Sequence, residues 1–158
     1  MFEIKANKWF KLPELPIPLG YSAAVVLEPD SLYNIGGTNS ASVVRLLKLS
    51  SPRASWREFT LGDVDMRWEM QFAVECEGKI ICSDSFFGRK TFVLEKKTKS
   101  EELEVSELVQ SNHSNDYSVS AHSYNFKVFR GEVFAPEPTQ AAKIFRLKPG
   151  ATEWFEYP

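Results

Sequence analysis

A threefold internal repeat limits the folds open to this chain more than any other feature of its sequence. The similar segments are residues 20–37, 68–85 and 121–138. Each has an apolar run, a short polar turn and a second apolar run rich in Val, Ile, Phe and Tyr, which is the pattern of a tight β-hairpin. The predicted two-residue turns are Pro29-Asp30, Glu77-Gly78 and Arg130-Gly131. The repetition predicts a fold built by stacking copies of one strand-rich unit.

Two further strands follow each hairpin. The third strand alternates its side chains, and it begins near Val43, Lys90 and Lys143. Its apolar positions align in two columns, which are Leu47, Phe92 and Phe145, followed by Leu49, Leu94 and Leu147. After a polar turn, a short fourth strand is predicted at residues 56–59, 103–105 and 154–157. The unit is therefore four antiparallel strands, and its mixed-charge turn at 96–102 is interpreted as a solvated turn.

The spacing of the units identifies the architecture. Leu49 and Leu94 lie 45 residues apart, whereas Leu94 and Leu147 lie 53 apart because the Ser- and Asn-rich segment 111–123 lengthens one connection. Such a period with four strands is typical of a β-propeller blade, and the 3.6-residue periodicity of helical solenoids is absent. Residues 2–12 match only the third and fourth strands. We therefore predict a single all-β domain, with a half blade at 1–15 and full blades at 16–64, 65–115 and 116–158.

The first full unit resembles the kelch repeat. Gly36-Gly37 follows the predicted strand 32–35, and Trp56 stands 19 residues after Gly37. A strand, a glycine pair and a later Trp mark that family, and residues 9–16 similarly resemble the end of a kelch blade. At the glycine-pair positions the other units have Asp84-Ser85 and Glu137-Pro138. Another four-stranded propeller family and a β-sandwich therefore remain alternatives. The resemblance implies a propeller fold and a role as a scaffold or as a ubiquitin-ligase substrate adaptor.

Three and a half blades do not make a closed propeller, which has four to eight complete blades. An open stack would leave apolar blade faces in contact with water. We therefore expect a partial or oligomer-completed propeller. A second copy, the blades of another chain or further blades of a longer protein would cover these faces.

Composition and charge exclude several classes of function. With 19 Lys and Arg against 21 Asp and Glu, the formal net charge is −2, which excludes a nucleic-acid binder held by bulk positive charge. Apolar runs such as residues 23–27 are too short to span a membrane, and residues 1–10 contain no export-signal core. The two cysteines are typical of reduced thiols, so we expect a cytoplasmic protein.

No arrangement of residues in the sequence predicts catalysis. His113 and His122 flank Asp116 at a spacing that matches no established metal site. Cys76 and Cys82 are predicted to lie on opposite faces of one hairpin, where they cannot form a disulfide. Phosphate-binding loops and nucleophile elbows are missing from the sequence. We therefore expect a non-enzymatic protein-protein interaction module that uses no cofactor or metal and binds a protein partner.

The candidate partner-binding residues are aromatic and arginine side chains in loops. They are Phe86, Phe87 and Arg89 after the second strand of the second full unit, and Arg67 and Trp68 before its first strand. Aromatic residues beside arginine are the composition of interface hot spots. The alternative for Phe86 and Phe87 is burial against the neighbouring blade. The alternative function is carbohydrate binding or processing, with Tyr117 and Trp68 as a stacking platform.

Overall fold

The structure is a computed structural model whose described residues form strands and turns, without any helix that could span a membrane. The described residues are 2–3, 7–20, 22–27, 29–38, 42–51, 53–62, 70–84, 90–110, 127–136, 144–148 and 150–157. Their strands, in chain order, are β1 (Phe2–Glu3), β2 (Lys8–Trp9), β3 (Ser22–Leu27), β4 (Ser31–Gly36), β5 (Val43–Lys48), β6 (Arg57–Thr60), β7 (Met70–Cys76), β8 (Lys79–Asp84), β9 (Lys90–Lys96), β10 (Leu103–Gln110), β11 (Lys127–Phe129), β12 (Glu132–Pro136), β13 (Ile144–Leu147) and β14 (Phe155–Tyr157).

These strands form three four-stranded antiparallel sheets, each made of four strands that are consecutive in the sequence. We name them sheet 1 (β3–β6), sheet 2 (β7–β10) and sheet 3 (β11–β14). The short strands β1 and β2 pair with each other as a two-stranded sheet, where the sequence predicts half a unit. The predicted all-β class and the repeated four-stranded unit are confirmed.

The hairpins of sheets 2 and 3 have the predicted two-residue turns. The φ angles are 52° and 77° at Glu77-Gly78, and 52° and 74° at Arg130-Gly131. Positive φ at both central residues is the type I′ geometry, whose twist matches that of the flanking strands. The hairpin of sheet 1 differs from the prediction, because Leu27 faces Ser31 and leaves three residues in the loop.

The alignment that placed Leu49 in the column of Leu94 and Leu147 is wrong. Strand β5 ends at Lys48, and Leu47 faces Leu32 in the way that Leu94 faces Ile80 and Leu147 faces Val133. Because side chains alternate with a period of two, a shift of two residues leaves each side chain on the same face. The hydrophobic pattern alone therefore could not distinguish Leu47 from Leu49.

Sheets 1 and 2 pack face to face through the larger apolar core. Sheet 1 contributes a face made of Ala23, Val25, Leu27, Tyr33, Ile35, Val44 and Leu46. Sheet 2 contributes Ile80, Cys82, Phe92, Leu94 and Leu103. The first strands β3 and β7 run beside each other along this interface. Each sheet is thus stabilised mainly by the apolar face that it buries against its neighbour.

The second core joins the opposite face of sheet 2 to sheet 3. Cys76, Ile81 and Val93 of sheet 2 are buried with Val133 and Leu147 of sheet 3. The indole nitrogen of Trp154 donates a hydrogen bond to Thr91 Oγ1 at 3.1 Å across the same junction. Sheet 2 is therefore covered on both of its faces.

The two cysteines occupy these two different cores, as the hairpin register predicts. Cys76 faces Lys79 and Cys82 faces Ala73, and both thiols are free and buried. Burial raises the pKa of each thiol. Because the thiolate is the reactive form, both are structural apolar residues in the folded chain.

Candidate interaction surface

The loop residues that the sequence singled out lie outside the described residues. This holds for Phe86, Phe87, Arg89, Arg67 and Trp68, and also for Tyr117, His113 and His122. Their proposed roles in partner binding, sugar stacking or solvated loops remain predictions. The candidate interaction surface lies in the described part of the chain.

Sheet 3 buries one of its faces and exposes the other. The strand register places on the exposed side a group that we call the open face, which consists of Phe129, Phe134, Ile144, Arg146, Phe155 and Tyr157. Phe129 is 59% exposed, and Ile144, Phe155 and Tyr157 are 44%, 43% and 45% exposed. Large apolar side chains clustered on one sheet face are typical of an interaction surface.

The side chains of the open face contact one another in a defined arrangement. The rings of Phe134 and Tyr157 meet edge to face, with centroids 5.7 Å apart and planes at 81°. The Arg146 guanidinium lies 5.6 Å from the centroid of the Tyr157 ring, within the range of a cation–π interaction. These contacts hold the side chains in place before any partner arrives, which reduces the entropy lost on binding.

The open face carries more positive than negative charge along one edge. Arg146 Nη1 and Lys148 Nζ each lie 3.8 Å from the carboxylate of Glu132. Both distances are too long for hydrogen bonds, although they allow electrostatic attraction. Within the described residues, Arg146 Nε is buried and has no hydrogen-bond partner. The edge therefore has two cations near one loosely held carboxylate.

The face of sheet 1 that is equivalent to the open face is covered by a neighbouring sheet. Counted from the hairpin, Tyr33 of sheet 1 corresponds to Phe134 of sheet 3, and Leu46 corresponds to Arg146. Tyr33 and Leu46 are buried beneath sheet 2. The open face is thus the uncovered counterpart of a face that elsewhere in the chain packs against a neighbouring sheet.

A polar cluster at the edge of the first interface fixes sheet 2 on sheet 1. We call it the junction, and it consists of Asp30, Ser31, Lys48 and Glu101. The carboxylate of Glu101, in the turn between β9 and β10, accepts a hydrogen bond from Ser31 Oγ at 3.2 Å and lies 3.0 Å from Lys48 Nζ. Lys48 Nζ also donates to Asp30 Oδ1 at 2.9 Å. The interpretation of this turn as simply solvated is therefore wrong for Glu101, which reaches another sheet.

The ionisation of the junction follows from these contacts. The hydrogen bond from Lys48 is the largest cause that holds the pKa values of Asp30 and Glu101 below their usual range. The same carboxylates, Asp30 first, raise the pKa of Lys48. Burial, followed by the nearby charge of Glu101, raises the pKa of Tyr33 to about 12. Its hydroxyl donates to the backbone carbonyl of Glu101 at 2.8 Å.

Two carboxylates beside a surface cleft are engaged in structural contacts. A cleft of about 370 Å³ beside the β7–β8 turn includes Glu75 and Glu95 in its lining. Glu75 Oε1 accepts the Gly78 N–H at 2.8 Å, and Glu95 lies 2.6 Å from Lys79 Nζ. Among the described residues, no three His, Cys, Asp or Glu side chains converge as metal ligands.

Comparison with known proteins assigns no family to this chain. No protein-family model matches it. No curated protein matches it significantly. The kelch resemblance therefore remains a prediction based on the glycine pair and the Trp of the first unit.

Proposed function

We propose that this chain is a non-enzymatic protein-protein interaction module with kelch-like propeller blades, and that a protein partner binds its open face. The single observation that carries the proposal is the exposure of Phe129 and Ile144 in sheet 3, because Leu27 and Val44 at the corresponding positions of sheet 1 are buried. Exposed aromatic residues beside arginine have the composition of interface cores.

A partner on the open face would remove apolar area from water. Burying a large apolar side chain contributes about 1.5–3 kcal/mol when it goes from exposed to buried. Phe129, Phe155 and Tyr157 retain enough exposed surface for a substantial part of that gain. The contacts of Tyr157 with Phe134 and Arg146 add preorganisation.

The resemblance of the first unit to the kelch repeat supports a role as a scaffold or as a ubiquitin-ligase substrate adaptor. This resemblance indicates the class of partner, a folded protein. The two buried free thiols support a reducing, cytoplasmic setting.

Capture from cytoplasmic extract tests the proposal directly. The full chain is compared with the double variant Phe129→Ser and Phe155→Ser, and the matched control is Val26→Ser, a 42% exposed apolar residue of sheet 1. We expect the double variant to lose proteins that both the wild type and the control retain. Equal capture by all three chains, with unchanged melting temperatures, would refute binding through the open face.

The same capture experiment tests the loop prediction, and a glycan array tests the sugar alternative. Loss of capture only with Phe86→Ser and Phe87→Ser, in a chain that stays folded, would move the binding site to that loop. Binding on a glycan array that survives both double variants would favour the carbohydrate function.

A further inference from the structure

We propose that the partner of the open face is an antiparallel sheet from outside residues 1–158, which places a carboxylate from the turn between its third and fourth strands against Lys148. This inference rests on the proposed function and specifies the chemistry of the partner. It is drawn from the way in which sheet 2 covers sheet 1.

Sheet 1 shows how a face of this kind is covered by a neighbouring sheet. Sheet 2 lays its apolar side on Val25, Tyr33 and Leu46 of sheet 1, and the turn between β9 and β10 reaches over the edge. That turn brings the Glu101 carboxylate to within 3.0 Å of Lys48 Nζ. A covering sheet thus supplies apolar contacts and one carboxylate together.

The edge of sheet 3 at Lys148 corresponds to the edge of sheet 1 at Lys48. Val133 faces Leu147 in sheet 3, so Glu132 and Lys148 occupy the positions of Ser31 and Lys48 in sheet 1. Lys48 is held by one carboxylate of its own sheet, Asp30, and by one from the covering sheet.

Among the described residues, Lys148 has a carboxylate of its own sheet nearby but none from a covering sheet. The Glu132 carboxylate lies 3.8 Å away and is shared with Arg146. The Lys148 side chain is 53% exposed. A partner carboxylate at the position of Glu101 would complete the arrangement and balance the second cation.

The corresponding turns of a second copy of this chain do not supply that carboxylate. The turn that carries Glu101 already covers sheet 1. Residues 49–56, which connect the third and fourth strands of sheet 1, and residues 4–7, which do so in the half unit, contain no Asp or Glu. The turn of sheet 3 lies beside Trp154, which is bonded to Thr91 of sheet 2. We therefore assign the covering sheet to a sequence outside residues 1–158.

The test supplies such a sheet to the intact chain. A second copy of residues 65–115, which includes Glu101 and its turn, is appended after Pro158 through a flexible Gly/Ser linker. Hydroxyl-radical footprinting then measures the exposure of Phe129 and Tyr157 in the extended and parent chains. We expect clear protection of both rings in the extended chain, toward the burial of Tyr33 beneath sheet 2.

Charge reversal tests the carboxylate itself. Lys148→Glu should weaken docking of the appended sheet about tenfold or more, and Glu101→Lys in the appended copy should restore docking to that variant. The matched control is Lys11→Glu, whose lysine side chain is 80% exposed and lies before sheet 1 in the chain. It makes the same charge change outside sheet 3 and should have little effect.

Each remaining outcome contradicts a specific part of the inference. Docking that is indifferent to Lys148→Glu would overturn the carboxylate, while the proposed function would stand. An appended sheet that leaves Phe129 and Tyr157 exposed would overturn a sheet as the partner. Concentration-dependent protection in the parent chain alone would identify a second copy as the occupant. The proposed function fails separately, when the extract capture does not depend on Phe129 and Phe155.

Discussion

Glu101→Gln is expected to loosen sheet 2 from sheet 1 without changing the shape of the turn. The substitution keeps the backbone carbonyl that accepts the Tyr33 hydroxyl, and it removes the negative charge that faces Lys48 at 3.0 Å and Lys96 at 3.2 Å. The Glu101 side chain is 35% exposed, so solvent screens both ion pairs. We therefore expect a loss of about 1 kcal/mol in the free energy of unfolding, rather than the larger cost of a fully buried pair.

The pH dependence of this effect has a definite sign. Because the pKa of Glu101 is lowered in the folded chain, its contribution is present above the pKa of the unfolded state. It is lost as the pH falls through the folded-state pKa. The wild type and Glu101→Gln should therefore differ at neutral pH, begin to converge as the pH falls below about 4, near the ordinary pKa of a glutamate, and converge fully only below the lower folded-state pKa.

Urea denaturation followed by tryptophan fluorescence measures the difference at a series of pH values. The matched control is Glu104→Gln, an exposed residue of β10 that follows the same turn. A Glu101 variant as stable as the Glu104 variant at pH 7 would refute the reasoning, and so would a difference that persists unchanged at pH 3. High salt should also reduce the difference, because the ion pairs are partly exposed.

Three further predictions test the hairpins and the buried groups. Tyr33→Phe should lower the free energy of unfolding by about 1 kcal/mol in thermal melts, since it removes the hydrogen bond to the Glu101 carbonyl. In the wild type, one tyrosine should titrate near pH 12 by ultraviolet absorbance. Gly78→Ala should lower the free energy of unfolding by about 1 kcal/mol, because the φ of 77° at Gly78 disfavours any side chain although the space around it is open. A melting temperature equal to that of the wild type would contradict the turn geometry. Cys76 and Cys82 should resist Ellman's reagent in the folded chain and react in denaturant; rapid labelling of either thiol under native conditions would contradict its burial.

The features that the sequence predicted correctly are those whose signals are local. The turn at Glu77-Gly78 is encoded by two adjacent residues, and it alone determines that Cys76 faces Lys79 and that Cys82 faces Ala73. Alternating apolar residues then predict the remaining strands of each unit. The three-residue loop after Leu27 was missed, because a proline and an aspartate can form turns of either length.

The features that the sequence did not predict depend on which sheet lies beside which. Glu101 and Ser31 are 70 residues apart in the chain, and the charged turn around Glu101 has the composition of an ordinary solvated turn. The open face was equally hidden, because Phe129 and Tyr157 resemble any core aromatic until it is known that sheet 3 is covered on one side only. Alternation identifies the two faces of a strand but does not say whether each face has a neighbour.

The two separate cores give the chain the mechanics of a short row of coupled units. One core joins sheet 1 to sheet 2 and the other joins sheet 2 to sheet 3, so each sheet is held by its own hydrogen bonds and by its immediate neighbours. In such a row, local unfolding begins at the end sheet that has the smaller core with its neighbour and spreads inward. Sheet 3 has the smaller core and the exposed side, so its amides should exchange with deuterium earlier than those of sheet 2. Binding at that end would then do more than occupy a surface, because it would raise the free energy needed to open the whole row.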